Sequence, residues 1–300
     1  MRKQRDNRFR VLLRLWMVLS LLLPLCFFGG SDEVQFPYGG EMVIVQAGTF
    51  QMGNTRNDRE GSFLEEPVHT VQLTYDFWIG KYPVTFNEYG VYCDALGRRP
   101  PHDGLRYFSS SHWGRETRPV INVRWWDAIA YCNWLSESEG LSPAYDEDGN
   151  LLDRAGVATT DVTKVEGYRL LTESEWEYAA RGGHKSTEDF RYAGSHTIQE
   201  VAWYDRNSDD ETKPVGQKKP NELGVYDMNG NVREWCYDWF DEYSNETRIN
   251  PIGPSEGNER TTRGGGWEYE AEDCRVASRG DVAPDFYYHA LGFRIARTRF

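Results

Sequence analysis

The chain's apolar and polar residues alternate over short stretches, and this pattern predicts strands rather than long helices. MVIVQAGTFQMG, from Met42 to Gly53, gives two strand signals around Ala47-Gly48. Further strand signals follow from Val68 to Thr85. The last third of the chain alternates short apolar runs with glycine turns, whereas residues 54–67 and 183–220 show little regular period.

Three short helices are predicted by their capping residues and spacing. Thr85 to Glu88 and Thr172 to Glu175 are capping boxes, in which a threonine and a glutamate satisfy each other's backbone N–H groups. A third helix is predicted from Trp125 to Glu139, ending at Gly140, and the helix after Thr172 ends at Gly182-Gly183. We interpret the acidic residues of these boxes as caps that also complement the helix dipole, rather than as catalysts.

The N-terminus predicts export. A basic stretch comes first, formed by Arg2, Lys3, Arg5, Arg8 and Arg10, and an apolar run of residues 15–28 follows it. The run is short for a membrane span and typical of a signal peptide, which we assign to residues 1–30. We favour a lipoprotein attached at Cys26, with ordinary cleavage after Gly29-Gly30 as the alternative and an uncleaved anchor third. The predicted location is the periplasm, outer membrane or cell surface.

After the signal peptide, a linker is predicted over 31–41 and a single domain over 42–300. Beyond the first 26 residues the chain carries 28 basic and 46 acidic residues. This acidic excess argues against nucleic acid and anionic membrane surfaces as partners. Any membrane attachment is therefore expected only through a lipid anchor.

Candidate metal chemistry lies in NELGVYDMNGNVREWCYDW, Asn221 to Trp239. Asp227 and Glu234 flank a turn at Gly230, and carboxylates around a bent loop suit a hard cation such as calcium. The alternative is a polar turn between two strands anchored by tryptophan, because the run is not an EF-hand.

Familiar catalytic motifs are absent from the sequence. The six histidines are scattered without HExxH or another paired spacing, and neither GxSxG nor GxxxxGK[ST] occurs. The glycines at 264–266 precede no apolar helix, so they are not a dinucleotide fingerprint. Hydrolase, kinase and dehydrogenase functions therefore have no support.

Nine blocks in order resemble the formylglycine-generating enzyme (sulfatase-modifying factor) family over nearly all of residues 42–297. They are MVIVQAGTFQMG, EEPVHTVQL, FWIGKYPVTFNEY, RPVINVRWWDAIAYCNWLSE, YRLLTESEWEYAARGG, PVGQKKPNELGVYDMNGNVREWCYDW, RGGGW, CRVASR and LGFRIAR. The resemblance implies an elaborated C-type-lectin-like α+β fold, a single domain with few short helices and strands and many loops.

The resemblance also implies a structural calcium site. By motif, Asp227 and Glu234 would supply side chains, and Gly230 and Val232 would supply carbonyl groups. Arg233 replaces the tryptophan that is usual between Val232 and Glu234 in the family. A second family calcium site would lie near residues 202–210, where the match is too loose to name ligands.

The family's catalytic residues do not transfer. Active members oxidise a substrate cysteine to formylglycine with O₂ and a copper(I) ion held by two cysteines, and copper(I) prefers thiolates. In this chain Gly266 replaces a serine, Tyr269 stands at the first cysteine position, and Cys274 is the only thiol of the segment. Copper is therefore not expected, and Cys274 is only a residual catalytic candidate.

Cys274 also has a structural interpretation. Cysteines of an exported protein can pair, and Cys93, Cys132, Cys236 and Cys274 allow three connectivities. We expect a disulfide between Cys236 and Cys274.

Three functions remain open. The first is a binding module for a protein or glycan ligand, because aromatic residues in a polar setting suit recognition. Its candidate residues are Trp267, Tyr269, Arg279, Phe286, Tyr287, Tyr288 and His289. Strict alternation would bury two of the last four. The second is a formylglycine-generating oxidase or a related accessory enzyme, and the third is a structural envelope lipoprotein.

Overall fold

A computed structural model of the chain describes residues 32–105 and 112–300. The predicted signal peptide and Cys26 lie outside these residues, so export and lipid attachment stay predictions. Within the described ranges, no helix combines the length and the apolar character needed to cross a membrane. Residues 32–300 form one compact unit.

Twelve short strands and four α-helices are present in the described ranges. The strands are β1 Glu33–Phe36, β2 Gly40–Val45, β3 Gly48–Met52, β4 His69–Leu73, β5 Phe77–Gly80, β6 Arg169–Leu170, β7 Arg233–Trp239, β8 Arg248–Ile249, β9 Arg260–Arg263, β10 Arg279–Val282, β11 Leu291–Phe293 and β12 Ile295–Thr298. The helices are α1 Phe86–Ala95, α2 Trp125–Ser138, α3 Glu173–Ala180 and α4 Ile198–Val201.

The strands form three sheets. The orders are β1-β2-β5-β12-β6, β10-β9-β7-β11 and β3-β4-β8. Most pairs are antiparallel, but β11 runs parallel to β7, with Leu291 opposite Arg233. Because β12 pairs with β5 and β6, the C-terminus closes the sheet that the N-terminal strands begin.

The predicted linker over 31–41 is wrong. Residues 33–36 form β1, which pairs with β2 in a hairpin whose turn includes Gly40 at φ 68°. The ring of Phe36 meets those of Trp78 and Tyr168 edge-on, at centroid distances of 5.9 and 6.2 Å. The hairpin is thus part of the domain, because its aromatic residue has a packing partner that the local sequence does not show.

The predicted helices are confirmed. Reciprocal capping bonds occur at Thr85 with Glu88 and at Thr172 with Glu175. Helix α2 ends just before Gly140, whose φ is 73°, a left-handed conformation that glycine adopts without strain. Local signals were sufficient here because caps act within a few residues of the helix end.

Three fully buried tryptophans anchor the core, and each satisfies its indole N–H. Trp125 donates to the Cys236 carbonyl at 2.9 Å and Trp235 to the Val123 carbonyl at 3.1 Å. Trp176 donates to Glu234 Oε2 at 2.8 Å. The predicted α+β single domain, loop-rich and built around aromatic residues, is confirmed.

Candidate functional site

The candidate site is an aromatic surface, here called the aromatic patch, formed by Trp113, Trp267 and residues 286–289. The Trp267 ring meets Trp113 edge-on at 5.1 Å, and its indole N–H donates to the His289 carbonyl at 3.2 Å. Trp267 lies in the loop between β9 and β10, and His289 lies just before β11. The sheet β10-β9-β7-β11 therefore brings the two loops together.

The outer part of the patch is open to solvent. Phe286 is 50% exposed and Tyr287 is 37% exposed, whereas Tyr288 and His289 are half-buried. Strict alternation would bury two of these four residues, but none of them is fully buried. The segment lies in a loop rather than a strand, so side chains do not alternate between two faces.

Glu268 fixes the inner part of the patch. Its carboxylate accepts from the His289 ring at 3.1 Å, and the His289 ring lies 4.0 Å from that of Tyr288. Burial alone would raise the pKa of Glu268, but hydrogen bonds from His289 and Tyr288 lower it on balance. Burial, together with the hydrogen bond to Glu268, raises the pKa of Tyr288.

Trp267 and Tyr269, two of the predicted ligand-binding residues, are less exposed than Phe286 and Tyr287. Trp267 is only 5% exposed, and Tyr269 is half-buried. The Arg233 guanidinium lies 4.9 Å from the centroid of the Tyr269 ring, a favourable cation–π distance. Two of the departures from the family motif, Arg233 and Tyr269, are therefore in contact with each other.

Arg279 does not belong to this patch, and its predicted ligand-binding role is corrected. Its guanidinium is buried and donates to both oxygens of Glu173, at 2.6 and 2.7 Å. It also donates to the carbonyls of Leu64 and Asp241. Arg279 thus neutralises the buried charge of Glu173 and links the backbone at Leu64 to that at Asp241.

The predicted Cys236–Cys274 disulfide is also wrong, because both cysteines are free thiols. Cys236 is in the main core, where its carbonyl accepts from Trp125. Cys274 is in a separate small cluster with Tyr192, Ile198, Val201, Ala202 and Tyr204. The two side chains thus belong to different apolar clusters.

The residues present do not fit a two-thiolate copper site. Tyr269 occupies the first cysteine position, and the small cluster around Cys274 contains no second cysteine among the described residues. Burial raises the pKa of the Cys274 thiol to about 12, so the thiolate that binds copper(I) is scarce at neutral pH.

The predicted calcium loop has a buried surplus of negative charge. Asp227 and Glu234 are both buried. Glu234 accepts from Arg294, with Nη2–Oε1 at 2.9 Å, and from Trp176. Asp227 accepts the Gly216 N–H at 2.7 Å, and burial raises its pKa to about 6.

Two carboxylates and one guanidinium leave one negative charge in this loop without a counter-charge of its own. Asp227 also has a φ of 54°, a left-handed conformation that aspartate tolerates better than most residues. A carboxylate with this environment suits a hard cation, and oxygen donors are the ligands that calcium prefers. Asp227 therefore fits the calcium prediction, whereas both carboxylate oxygens of Glu234 already accept hydrogen bonds from Arg294 and Trp176.

Trp113 is the residue of the patch that the sequence did not reveal. It lies in a polar stretch of sequence that precedes α2, so no hydrophobic period marks it. Its contact with Trp267 joins residues 154 positions apart. Only the folded chain brings it to the site.

Fold and motif together define the class of protein. Residues 31–299 match the sulfatase-modifying factor enzyme 1-like domain, so the chain belongs to this family, which includes the formylglycine-generating enzymes.

Relatives cover nearly the whole domain. The chain is 33% identical over 317 residues to the Chaperone protein LppX of Paenibacillus barcinonensis, covering 96% of this chain and 100% of that protein. It is 32% identical to the formylglycine-generating enzyme of Thermomonospora curvata, covering 85% of this chain and 92% of that enzyme. Among solved structures, Treponema denticola variable protein 1 is similar, with a TM-score of 0.72, 31% identity, and coverage of 90% of this chain and all of that one.

Proposed function

We propose that this protein is an exported, catalytically degenerate member of the family that binds a protein ligand through the aromatic patch. One observation carries the proposal. Where an active relative would hold copper, this chain has a buried Cys274 and a Tyr269 covered by Arg233. The exposed aromatic residues Phe286 and Tyr287 lie in the loop between β10 and β11, which also carries His289 against Trp267.

The patch has the physical character of a recognition surface. Aromatic residues supply most of the binding free energy in many interfaces, especially when they are held in place before binding. Glu268 restrains Tyr288 and His289, and the Phe286 ring stacks on Tyr288 at 5.9 Å. The ordering cost on binding is therefore small for these side chains.

A protein ligand is favoured over a glycan because a relative that matches 96% of this chain is named a chaperone. That name describes the relative, and it makes a protein the first ligand to test. The acidic surface makes nucleic acid and anionic lipid poor candidates. Attachment to the membrane would come from a lipid on Cys26, at the periplasmic, outer-membrane or outer cell surface.

Calcium has a structural role in this proposal. Asp227 and Glu234 would supply carboxylate oxygens, and Gly230 and Val232 would supply carbonyl oxygens. The ion would neutralise the surplus charge of the loop. It would thereby hold the start of β7, whose residue Arg233 covers Tyr269.

An oxidase is the alternative, favoured by the 32% identity to the formylglycine-generating enzyme of Thermomonospora curvata. It requires copper(I) to be bound without the pair of thiolates that this soft ion prefers. A related accessory enzyme meets the same objection.

Site-specific photo-crosslinking tests the binding proposal. A photoreactive phenylalanine analogue replaces Phe286 in one variant and Ile249 in the other, since Ile249 is 63% exposed but lies on β8. In cells that export the chain, we expect a discrete protein adduct from position 286 and none from position 249. No adduct at 286, or the same adducts at both positions, would contradict the proposal, and an adduct removed by glycosidase would indicate a glycan.

A further inference from the structure

A second group of polar residues lies beside the aromatic patch and has no part in the function proposed above. His102, Asp103 and His112 each place one ligand atom within 4.8 Å of those of the other two. They are the only three-residue cluster of this kind in residues 32–105 and 112–300. The sequence alone shows no metal-binding spacing, because the second histidine is nine positions away from Asp103.

The donor atoms are close and accessible. His112 Nδ1 lies 2.7 Å from Asp103 Oδ1, and the two imidazole centroids are 4.9 Å apart. The side chain of Asp103 is 7% exposed and that of His112 is 59% exposed. One ligand is therefore held in the protein, while another is reached directly from solvent.

The backbone around these residues is tied down. Asn122 Nδ2 donates to the His102 carbonyl at 2.8 Å and to the Gly104 carbonyl at 3.1 Å. The Trp113 N–H donates to the Asp103 carbonyl at 3.1 Å. These hydrogen bonds fix the backbone around the three ligand residues before an ion binds. The entropy lost on binding is therefore smaller.

We propose that His102, Asp103 and His112 bind a divalent transition-metal ion, and zinc is the ion we choose to test. Two imidazole nitrogens and one carboxylate oxygen are the donors of many three-residue zinc sites. Calcium and magnesium prefer oxygen donors alone, and copper(I) prefers sulfur. Three protein ligands leave the fourth position of a tetrahedral zinc ion open.

Two features of the cluster limit its affinity. Arg115 Nε lies 3.6 Å from Asp103 Oδ2, and its positive charge opposes a second cation. The Gly104 N–H donates to His102 Nδ1 at 3.1 Å, so binding through that nitrogen breaks a hydrogen bond. We therefore expect micromolar rather than nanomolar binding of zinc.

The site adjoins the aromatic patch through one residue. Trp113 follows His112 directly, and its ring lies 5.1 Å from Trp267 and 6.1 Å from His289. A bound ion with an open position would thus lie next to the proposed ligand surface. The metal proposal stands without the ligand proposal, because it rests on His102, Asp103 and His112 alone.

Calorimetric titration with zinc tests the site. The full chain is purified without a polyhistidine tag and titrated in excess calcium, so that oxygen-rich sites are already filled. We expect one zinc ion per chain. His102→Gln and His112→Gln should each weaken binding by at least about tenfold, as the loss of one of three ligands implies.

His196→Gln is the matched control. His196 is also partly exposed and pairs with a carboxylate, Glu188, at 2.8 Å, but it belongs to no three-residue cluster in the described part of the chain. This variant should bind zinc like the wild type. Circular dichroism establishes that each variant is folded.

Cobalt(II) reports coordination directly. Its visible absorption bands should appear with the wild type and His196→Gln, disappear on adding zinc, and be lost in His112→Gln. The proposal is overturned if the wild type binds no zinc at micromolar concentrations. It is equally overturned if folded His112→Gln and His196→Gln bind zinc with the same affinity.

Discussion

The acidic residues of α3 form buried ion pairs with arginines, so their role is structural. Glu175 caps the helix, since its carboxylate accepts the Thr172 N–H at 2.9 Å, and it also binds Arg169 at 2.6 and 2.7 Å. Both members of the pair are almost fully buried. Removing one partner of such a pair leaves a charge in a medium of low dielectric constant, which costs far more than losing a surface pair.

Arg169→Met should lower the free energy of unfolding by about 3–5 kcal/mol, because Glu175 is left buried without its counter-charge. The matched control is Lys219→Met, which breaks the surface pair with Glu200 at 3.1 Å and should have a much smaller effect. Urea unfolding monitored by fluorescence measures both. Adding Glu175→Leu to Arg169→Met should restore part of the loss, and equal effects of the two single changes would contradict this account.

Sequence reasoning found the caps but missed the ion pairs. Thr172 and Glu175 are three positions apart, so a capping box is visible in the sequence. Arg275 and Glu65, which form another buried pair at 2.6 Å, are 210 positions apart. Nothing local marks Arg279 as the partner of Glu173 either, and this is why its predicted binding role was wrong.

At the scale of elements, the loop that leads into β7 is the part most open to test. Its glycine and carboxylate spacing suggested a cation, and the structure adds that Asp227 is buried beside Glu234 and only one guanidinium. Calcium bound to the folded loop stabilises the native state in proportion to the logarithm of its concentration.

Calcium at about 100 times its Kd should raise the thermal midpoint of the wild type by roughly 5 °C, and chelation should reverse the rise. Asp227→Gly should lose the rise, because glycine keeps the left-handed backbone but removes the carboxylate. Glu116→Gly is the control, since Glu116 is exposed and has a φ of 48°. A midpoint unaffected by chelation, or one that still rises in Asp227→Gly, would contradict the calcium proposal.

Elements with strong local signals were predicted well, and those that depend on distant partners were not. Helices α1 and α3 begin at capping boxes, and α2 ends just before a glycine, all visible in the local sequence. Strand β1 was mistaken for a linker because Phe36 finds Trp78 and Tyr168 only in the folded chain. Residues 286–289 form a loop rather than a strand. Their side chains therefore do not alternate between buried and exposed positions.

On the scale of the whole molecule, the family's scaffold is retained, while Tyr269 stands at the first of the two cysteine positions that the resemblance assigns to copper. The ordered motifs sufficed for the fold, because together they fix nearly all of residues 42–297. They did not reveal that Arg233 covers Tyr269, nor that Cys274 and Cys236 belong to separate apolar clusters. At the first cysteine position, the structure thus has a tyrosine packed against an arginine.

The most direct measurement is aldehyde formation on a cysteine peptide that carries a sulfatase motif, in the presence of copper(I) and O₂. A formylglycine-generating enzyme serves as the positive control, and Cys274→Ser is assayed beside the wild type. We predict no aldehyde above the copper-only background from either form of this protein. Aldehyde produced by the wild type and abolished by Cys274→Ser would contradict the proposal of a catalytically degenerate binding module.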